Sequence, residues 1–219
     1  MNKIHLTSDG SHTLFSEKFK EHYHSTHGAI QESMHIFIKS GLEAHPATDN
    51  LHLFEVGLGT GLNAYLTLLY AMHTKQVITY ESIEKYPVGI NIIKDLNFPQ
   101  KLDEKEEELF FAIHQSHWNK WLDLDDYFAF KKHQKDFTLF SPEGNYDIIY
   151  FDAFSPEVQP ELWKQDIFNK LYERSNKEAI LTTYSSKGII RRRLIDAGFN
   201  VEKIPGPPGK REILRAVKI

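Results

Sequence analysis

The sequence predicts an α/β fold: a mostly parallel, seven-stranded sheet with helices on both faces and a C-terminal antiparallel strand. Three observations support this prediction. Strand-like apolar runs alternate with helix-like segments, a pattern typical of parallel sheets covered on both faces. A glycine-rich turn, "GLGTG", joins one such strand to a helix. The 219 residues are 41% hydrophobic, which is enough for one substantial core.

The first strand and helix of this pattern flank the glycine turn. "LHLFEV" (51–56) is a short apolar run typical of a strand, and residues 62–73 have the length of a helix. Because that helix is apolar on nearly all sides, we predict that it is buried. A strand at 76–83 follows, and then a helix after Pro87, a residue suited to a first helical turn.

The second half continues the alternation. Further strands are predicted at 110–113, 127–133, 146–154 and 179–186. A helix is predicted at 160–175, where apolar residues recur on one side, and another at 187–198, which ends at Gly198. Residues 199–219 are expected to form two strands around a Pro/Gly-rich loop, so an antiparallel strand finishes the sheet.

We divide the chain into a His-rich N-terminal extension, residues 1–45, packed on a single structural unit, residues 46–219. The chain has no cysteine, which excludes disulfides, cysteine nucleophiles and thiolate metal sites. No apolar run reaches membrane-spanning length, and the N-terminus has no targeting pattern. We therefore expect a cytoplasmic protein that has no membrane partner.

Charge is distributed unevenly, although the formal net charge is only -4. Residues 185–219 hold nine Lys or Arg against three acids, net +6, whereas residues 100–126 hold eight acids against three Lys, net -5. The basic tail is a candidate RNA-facing surface, because phosphate attraction needs only a local patch. The alternative is a solvated helix face beside a charged sheet edge.

The glycine turn predicts a ligand site. Gly57, Gly59 and Gly61 leave the backbone without Cβ atoms where it turns sharply and approaches a ligand. The spacing is not the G-x-G-x-x-G of dinucleotide sites, and the Lys of a P-loop is missing. Glu55 favours a zwitterionic ligand, since its carboxylate can meet a cationic amine directly or through water.

Acids after the next strands are candidates for the rest of that ligand. Glu84 is placed to accept hydrogen bonds from a ribose diol, and Glu81 is the second choice. Asp136 follows the strand at 127–133, where a carboxylate can accept from an adenine amino group. The alternatives are that the two glutamates are solvated loop acids and that Asp136 caps a helix.

Ordered sequence blocks connect this pattern to a family. "FEVGLGTGLN" resembles the first motif of class I S-adenosylmethionine-dependent methyltransferases, whose Rossmann-like sheet ends in an antiparallel hairpin. Five blocks, "DGSHTLFSEKFKEHYHSTHGAIQES", "EKYP", "FDAFSPEVQPELW", "TTYSSKGIIRRRLIDAGF" and "PGPPGKREILRA", resemble in order the methyltransferase domain of the MnmC family.

This resemblance implies S-adenosylmethionine as the cofactor. The family methylates the exocyclic amine of 5-aminomethyl-(2-thio)uridine at the tRNA wobble position, so the implied partner is the tRNA anticodon region. The implied cofactor-binding residues are Glu55, Gly57, Gly59, Gly61, Asn63, Glu84 and Asp136. The alternatives are a methyltransferase for another amine or small molecule, and a non-catalytic RNA-binding or cofactor-sensing domain.

The sequence departs from the family in two ways. Bifunctional members carry a second, flavin-dependent oxidoreductase domain, for which 219 residues leave no room. We therefore expect a stand-alone methyltransferase that depends on a separate enzyme for its amine substrate. The loop "DGFAP" of the two-domain members is "DAFSP" here, with Ala153 and Ser155 as small replacements that keep the turn.

Asp152 is the main catalytic candidate. It lies at the carboxyl end of the predicted strand, where the apolar run ends on an acid. It resembles the acid of the Asp/Asn-Pro-Pro-aromatic loop of amine methyltransferases. We expect its carboxylate to accept N–H bonds from the substrate amine, and Phe154 to stack on the base or to pack beside the methyl group. The alternative is a strand-end acid that caps the following helix.

Other residues are expected to contact the substrate. These candidates are Ser155, Pro156, Tyr184, Arg191, Arg192, Arg193, Lys210 and Arg211, the basic ones binding anticodon-stem phosphates. The resemblance adds contributions to the substrate site from Tyr23, His24 or Ser25. We expect no metal, since neither the cluster His22, His24 and His27 nor the pair His114 and His117 has a nearby acid pattern.

Overall fold

The computed structural model describes residues 2–46 and 50–219. Its N-terminal part is more regular than the sequence predicts. Strands β1 (Lys3–Leu6), β2 (His12–Ser16) and β3 (Glu21–His22) form a small antiparallel sheet. Helix α1 (Ala29–Ser33) follows and continues as a π-helical segment, Met34–Leu42, which packs on the main sheet.

The main sheet has eight strands rather than seven. The strands are β4 (Leu51–Val56), β5 (Ile78–Ile83), β6 (Leu122–Asp125), β7 (Phe128–His133), β8 (Tyr146–Phe151), β9 (Ser175–Thr183), β10 (Asn200–Pro205) and β11 (Glu212–Val217). Their order is β10-β11-β9-β8-β4-β5-β7-β6. The five inner strands from β9 to β7 are parallel, whereas β6, β10 and β11 pair antiparallel at the two edges.

Helices cover both faces of the sheet, as predicted. They are α2 (Leu62–Thr74), α3 (Ile90–Ile93), α4 (Phe98–Leu102), α5 (Glu107–Gln115), α6 (Gln165–Glu173) and α7 (Gly188–Ala197), with 3-10 turns at Glu104–Glu106 and Pro160–Trp163. Alternate strand residues face opposite sides. Leu53 and Ile148 join the core under α2 and α5, and Phe54 and Ile149 join the core under α6 and α7.

One predicted strand is wrong. Residues 110–113 lie inside α5, where Phe110 and Ile113 are three positions apart and both fully buried on one helix face. A four-residue apolar run does not distinguish a strand from a buried helix. The extra strand is β6, which pairs with β7 through a register shift between Asp123 and Asp125.

The topology creates a crevice at the end of β4. This strand lies between β5 and β8. The connection after β4 leads to β5 on one side, whereas the connection after β7 leads to β8 on the other side. Ligands of open α/β sheets bind at such a switch point, beyond the carboxyl ends of the strands.

The helices described within residues 2–46 and 50–219 include none with the length and apolar character that a membrane span requires.

Candidate active site

A cavity of about 340 Å³ lies at the carboxyl ends of β4, β5 and β8. The glycine turn after β4 and the loops after β5 and β8 form its floor. The N-terminal sheet and the loop between β10 and β11 supply its other walls, through residues such as Tyr23 and Lys210. The cavity therefore lies at the switch point and is also lined by residues from the N-terminal and C-terminal parts of the chain.

The glycine turn has backbone angles that favour glycine. Gly57, Gly59 and Gly61 have φ values of +96°, +53° and +73°, in the region that favours glycine. A Cβ on Gly57 would lie 2.6 Å from the Asp152 carbonyl oxygen, and one on Gly61 would lie 2.5 Å from Nε2 of His114. Side chains at these positions would clash with neighbouring residues or strain the turn.

Asn63 connects the two central carboxylates. Its Nδ2 donates to Oε1 of Glu55 at 3.1 Å and to Oδ2 of Asp152 at 2.8 Å. Glu55 is fully buried, accepts from Ser82 Oγ at 2.8 Å, and lies behind Asn63 rather than on the cavity wall. Asn63 Oδ1 is buried and has no hydrogen-bond partner among the residues described. Because Asn63 lines the cavity, this unpaired acceptor belongs to a residue of the cavity wall.

The pKa values of both carboxyl groups are raised above the ordinary range of a carboxyl group. Burial raises the pKa of Glu55 to about 7, in spite of the hydrogen bonds from Ser82 and Asn63 that lower it. Burial also raises the pKa of Asp152 well above its usual value, and the charges of Glu55 and Glu32 raise it further. A group that loses a proton next to Asp152 therefore meets a stronger base than an ordinary carboxylate.

The structure separates the two glutamates after β5. Glu84 lies in the cavity wall, where it accepts from the backbone N–H of Gly59 at 3.1 Å and of Tyr86 at 2.6 Å. Glu81 is not part of the wall; its carboxylate contacts His133 at 2.5 Å and accepts from the Tyr146 hydroxyl at 2.7 Å. Only Glu84 is therefore available to a ligand in this cavity.

Asp136 also reaches the cavity wall, and its oxygens already have partners. Oδ1 accepts from Thr138 N at 2.9 Å and Oγ1 at 2.7 Å, and Oδ2 is 2.6 Å from Lys85 Nζ. The bond from Thr138 N is of the kind that a helix-capping residue accepts, as the alternative prediction expects. Residues 137–139 form a turn, however, and not a helix. A ligand would have to share this carboxylate.

The loop after β8 places Phe154 in the wall and turns the next two residues away. The Phe154 ring lies 4.6 Å from that of Phe19 and 4.9 Å from that of Tyr23, measured between centroids. Ser155 and Pro156 do not line the cavity, and Ser155 N donates to Glu21 Oε2 at 3.1 Å. The loop is thereby fixed to the N-terminal sheet.

Tyr184 and Lys210 lie together in the cavity wall. The Tyr184 hydroxyl donates to the Ala153 carbonyl at 2.9 Å, and Lys210 Nζ lies 4.6 Å from the centre of the Tyr184 ring. Lys210 also forms an ion pair with Glu32 at 3.4 Å. Its ammonium therefore faces the cavity, next to a carboxylate.

The other basic candidates lie outside the cavity wall. Arg191, Arg192 and Arg193 are on α7, and Arg211 follows Lys210 on an exposed turn. Arg193 Nη1 donates to the Trp163 carbonyl at 2.6 Å, which is a structural contact. These arginines are not placed to contact a reacting base.

Some wall residues have no clear signal in the sequence. Glu21 and Glu32 are acids in an N-terminal stretch without periodicity, and only the tertiary fold brings them to the cavity. His24, a candidate from the family resemblance, lines the cavity with Nε2 3.3 Å from Thr60 Oγ1. Burial lowers the pKa of His24 to about 4, so the ring is neutral at pH 7.

The clustered histidines have other partners than a metal. His22 Nε2 lies 2.9 Å from His5 Nδ1, and His114 Nε2 lies 3.1 Å from the Thr60 carbonyl oxygen. No group of three or more His, Cys, Asp or Glu that could hold a metal ion is found in the described part of the chain.

Comparison with known proteins connects this chain to a family of methyltransferases. Residues 129–219 match the model of a family described as S-adenosyl-L-methionine-dependent methyltransferases. The crystal structure of MnmC2 from Aquifex aeolicus superposes with a TM-score of 0.82 at 26% sequence identity, over 99% of this chain and 70% of that one. The fold is therefore shared along nearly the whole of this chain.

Two curated bacterial relatives also align with nearly the whole chain. The tRNA 5-methylaminomethyl-2-thiouridine biosynthesis bifunctional protein MnmC of Vibrio vulnificus (strain CMCP6) is 30% identical, over 92% of this chain and 33% of that protein. The protein of the same name from Leptospira interrogans (strain Fiocruz L1-130) is 30% identical, over 95% of this chain and 34% of that protein. The chain thus spans about a third of the length of these relatives. The family, the relatives and the Aquifex structure together support an S-adenosyl-L-methionine-dependent methyltransferase domain of the MnmC type.

Proposed function

We propose that this protein methylates the exocyclic amine of 5-aminomethyl-(2-thio)uridine at the wobble position of tRNA, with S-adenosyl-L-methionine as the methyl donor. The observation that carries the proposal is the half-buried Asp152 carboxyl group beside the glycine turn, which Asn63 joins to Glu55. Among the described residues, Asp152 shares the cavity wall with five other carboxyl groups, so the wall suits a cationic amine; these are Glu21, Glu32, Glu84, Asp136 and Glu161.

The residues around the glycine turn fit this donor. Glycines 57, 59 and 61 keep the turn free of Cβ atoms, and Asn63 Oδ1 offers a buried acceptor for an ammonium. Glu84 would accept from ribose hydroxyls, and Asp136 from an adenine amino group. Glu55 would act through Asn63, which it orients. When bound, S-adenosyl-L-methionine supplies a methyl group activated by the positive charge of its sulfur.

Asp152 would accept the proton that the substrate must lose. An alkylamine has a reference pKa of about 10.4, so at neutral pH it arrives as an ammonium that has no free lone pair. A carboxylate of ordinary pKa would leave the proton on nitrogen. The pKa of Asp152 is raised by burial and by the charge of Glu55, which brings the carboxylate closer to the amine in basicity. We therefore assign binding, orientation and proton acceptance to Asp152.

Neighbouring side chains would orient the base that carries the amine. Phe154 offers an aromatic face beside Asp152, and Tyr184 is held at the same loop by its hydrogen bond to the Ala153 carbonyl. Lys210, which contacts Tyr184 and Glu32, would meet a carbonyl oxygen or a phosphate of the nucleotide. Such positioning accounts for a large part of the rate of a two-substrate transfer, up to about 7 to 11 kcal/mol.

The test uses tRNA that carries the aminomethyl intermediate. The wild-type protein, Asp152→Ala and Asp152→Asn are incubated with this tRNA and labelled donor, and the nucleosides are quantified after digestion. We expect the wild type to form methylaminomethyl-(2-thio)uridine, and both variants to lose at least about 100-fold in kcat. Near wild-type turnover in both variants would remove Asp152 from this role.

The same assay addresses the alternative functions. Methylation of a small amine but not of tRNA would indicate a small-molecule methyltransferase, and donor binding without any turnover would indicate a non-catalytic domain. A tRNA substrate implies a cytoplasmic reaction. It also requires an activity that supplies the aminomethyl group, which we propose comes from a separate enzyme.

A further inference from the structure

Four aromatic rings form a continuous path from the protein surface into the cavity. Tyr86 is at the outer end, with 36% of its surface exposed. Its ring centroid lies 5.6 Å from that of Phe19, which lies 4.6 Å from that of Phe154. Phe154 in turn contacts Tyr23 at 4.9 Å, and all four residues line the cavity. The path therefore ends beside the residues proposed to hold the reacting amine.

Lysine side chains lie over the outer end of this path. Lys18 is exposed, and its Nζ lies 3.0 Å from the centre of the Tyr86 ring and 5.1 Å from that of Phe19. Lys85 Nζ lies 5.2 Å from the Tyr86 ring and is neutralised by Asp136 at 2.6 Å. Lys18 is thus the cation that the ring positions at the cavity mouth.

Packing alone accounts for the inner part of the path but not for the outer part. Phe19 and Phe154 join the N-terminal sheet to the loop after β8, which is a structural role. Tyr86 leaves 36% of its surface exposed, and the Lys18 ammonium lies over its ring. This arrangement matches the way proteins bind single-stranded nucleic acid, with bases stacked on aromatic rings and cations beside the phosphates.

We propose that Tyr86, Phe19 and Lys18 bind a nucleotide next to the methylated one, with its base stacked on Tyr86 and its phosphate paired with Lys18. This inference rests on the proposed RNA substrate. A base that enters the cavity as far as Asp152 must leave its stack, and its neighbour then loses a stacking partner. The exposed Tyr86 ring replaces that partner at the point where the RNA strand enters.

The first test measures steady-state kinetics with aminomethyl-bearing tRNA for Tyr86→Ala, Tyr86→Phe and Lys18→Gln. We expect Tyr86→Ala to raise KM for tRNA about tenfold, because one stacking contact is lost. Tyr86→Phe keeps the ring and should stay near wild type. Lys18→Gln should lower the slope of log affinity against log salt by about 0.7, the value for one single-strand phosphate.

Trp121→Ala is the matched control. Trp121 is 48% exposed, Lys131 Nζ lies 5.3 Å from its ring centre, and it is not part of the cavity wall. Trp121 is also an exposed aromatic ring with a lysine ammonium over it, but it lies elsewhere on the protein. Its replacement should therefore leave KM for tRNA unchanged. Donor affinity and melting temperature, measured for every variant, show whether the fold is intact.

A second readout does not depend on turnover. An anticodon stem-loop RNA is made with 2-aminopurine beside the wobble position, and its fluorescence is followed on addition of protein. Stacking on Tyr86 should quench the signal with wild type and Tyr86→Phe but not with Tyr86→Ala. Quenching and KM at wild-type levels in Tyr86→Ala would overturn the inference. Tyr86-dependent quenching by a wild-type protein that methylates no tRNA would overturn the proposed reaction and leave this binding site standing.

Discussion

The backbone carbonyl oxygen of Asp152 lies 2.6 Å from the point that a Cβ atom on Gly57 would occupy. The ends of β4 and β8 approach this closely because Asp152 N donates to the Val56 carbonyl at 2.9 Å, which extends the parallel ladder beyond the strands. The glycine turn and the proposed catalytic acid therefore form one structural unit. A change in one of them displaces the other.

Gly57→Ala should impair both stability and donor binding. The new methyl group would meet backbone, which cannot move aside as a flexible side chain can, and the φ of +96° adds strain of about 1 kcal/mol or more. We expect a lower melting temperature and donor affinity reduced below detection in calorimetry. Gly89→Ala is the control: a Cβ there has no atom within 4 Å, and it should behave as wild type.

Exchanging each glutamate after β5 should separate donor binding from stability. Glu84→Gln keeps the size of the side chain but weakens its bonds to the Gly59 and Tyr86 N–H groups and to ribose hydroxyls. We expect donor affinity to fall by about tenfold or more. Glu81→Gln should lower the melting temperature instead, because it disturbs a buried contact with His133. Equal donor affinities in the two variants would contradict the assignment of Glu84.

Glu55→Gln should change how stability depends on pH. The pKa of Glu55 is 4.5 in the unfolded reference and about 7 in the folded protein. The folded state thus favours the protonated form, so this stabilisation is complete below pH 4.5 and is lost as the pH rises through about 7. Gln does not ionise and avoids this loss.

Denaturant titrations of both proteins at several pH values would measure this effect. We expect similar stabilities near pH 4.5, and an advantage of Glu55→Gln that grows to at most about 3 kcal/mol above pH 8. The comparison cancels the titrating groups that do not interact with Glu55; Asp152 is not one of them, since the charge of Glu55 raises its pKa. A stability difference that is independent of pH would show that the burial of Glu55 does not perturb its ionisation.

Charge reversal on α7 tests the predicted phosphate contacts. Arg191 and Arg192 have no assigned structural role, so replacing both with Glu should weaken tRNA binding and lower the salt slope by about 1 per lost contact. Arg193→Gln should lower stability without changing the slope, since Arg193 donates to the Trp163 carbonyl. Unchanged affinity and slope in the double variant would indicate that the basic face of α7 is a solvated surface that does not contact RNA.

The elements around the glycine turn could be predicted because their signals are local. The strand at 51–56 is confirmed with the same bounds, and the helix predicted at 62–73 ends one residue later, at Thr74. A buried apolar run, a glycine turn and a helix succeed each other within 25 residues. Each signal therefore reinforces the next without any tertiary information.

The parts that the sequence does not predict depend on distant contacts. The apolar run at 110–113 becomes helix because Phe110 and Ile113 face one core, which no four-residue window shows. The pairing of Glu32 with Lys210 joins residues 178 positions apart. The choice between Glu81 and Glu84 depends on His133, a residue on another strand.

The loop between β10 and β11 has a consequence for synthesis. A Cβ on Gly209 would lie 2.1 Å from Cδ2 of His27, so the loop touches the N-terminal region at the cavity mouth. A nascent chain still holding its Gly209 segment inside the ribosomal tunnel lacks one wall of the site. It can form the glycine turn early, yet its cavity is complete only after this segment emerges.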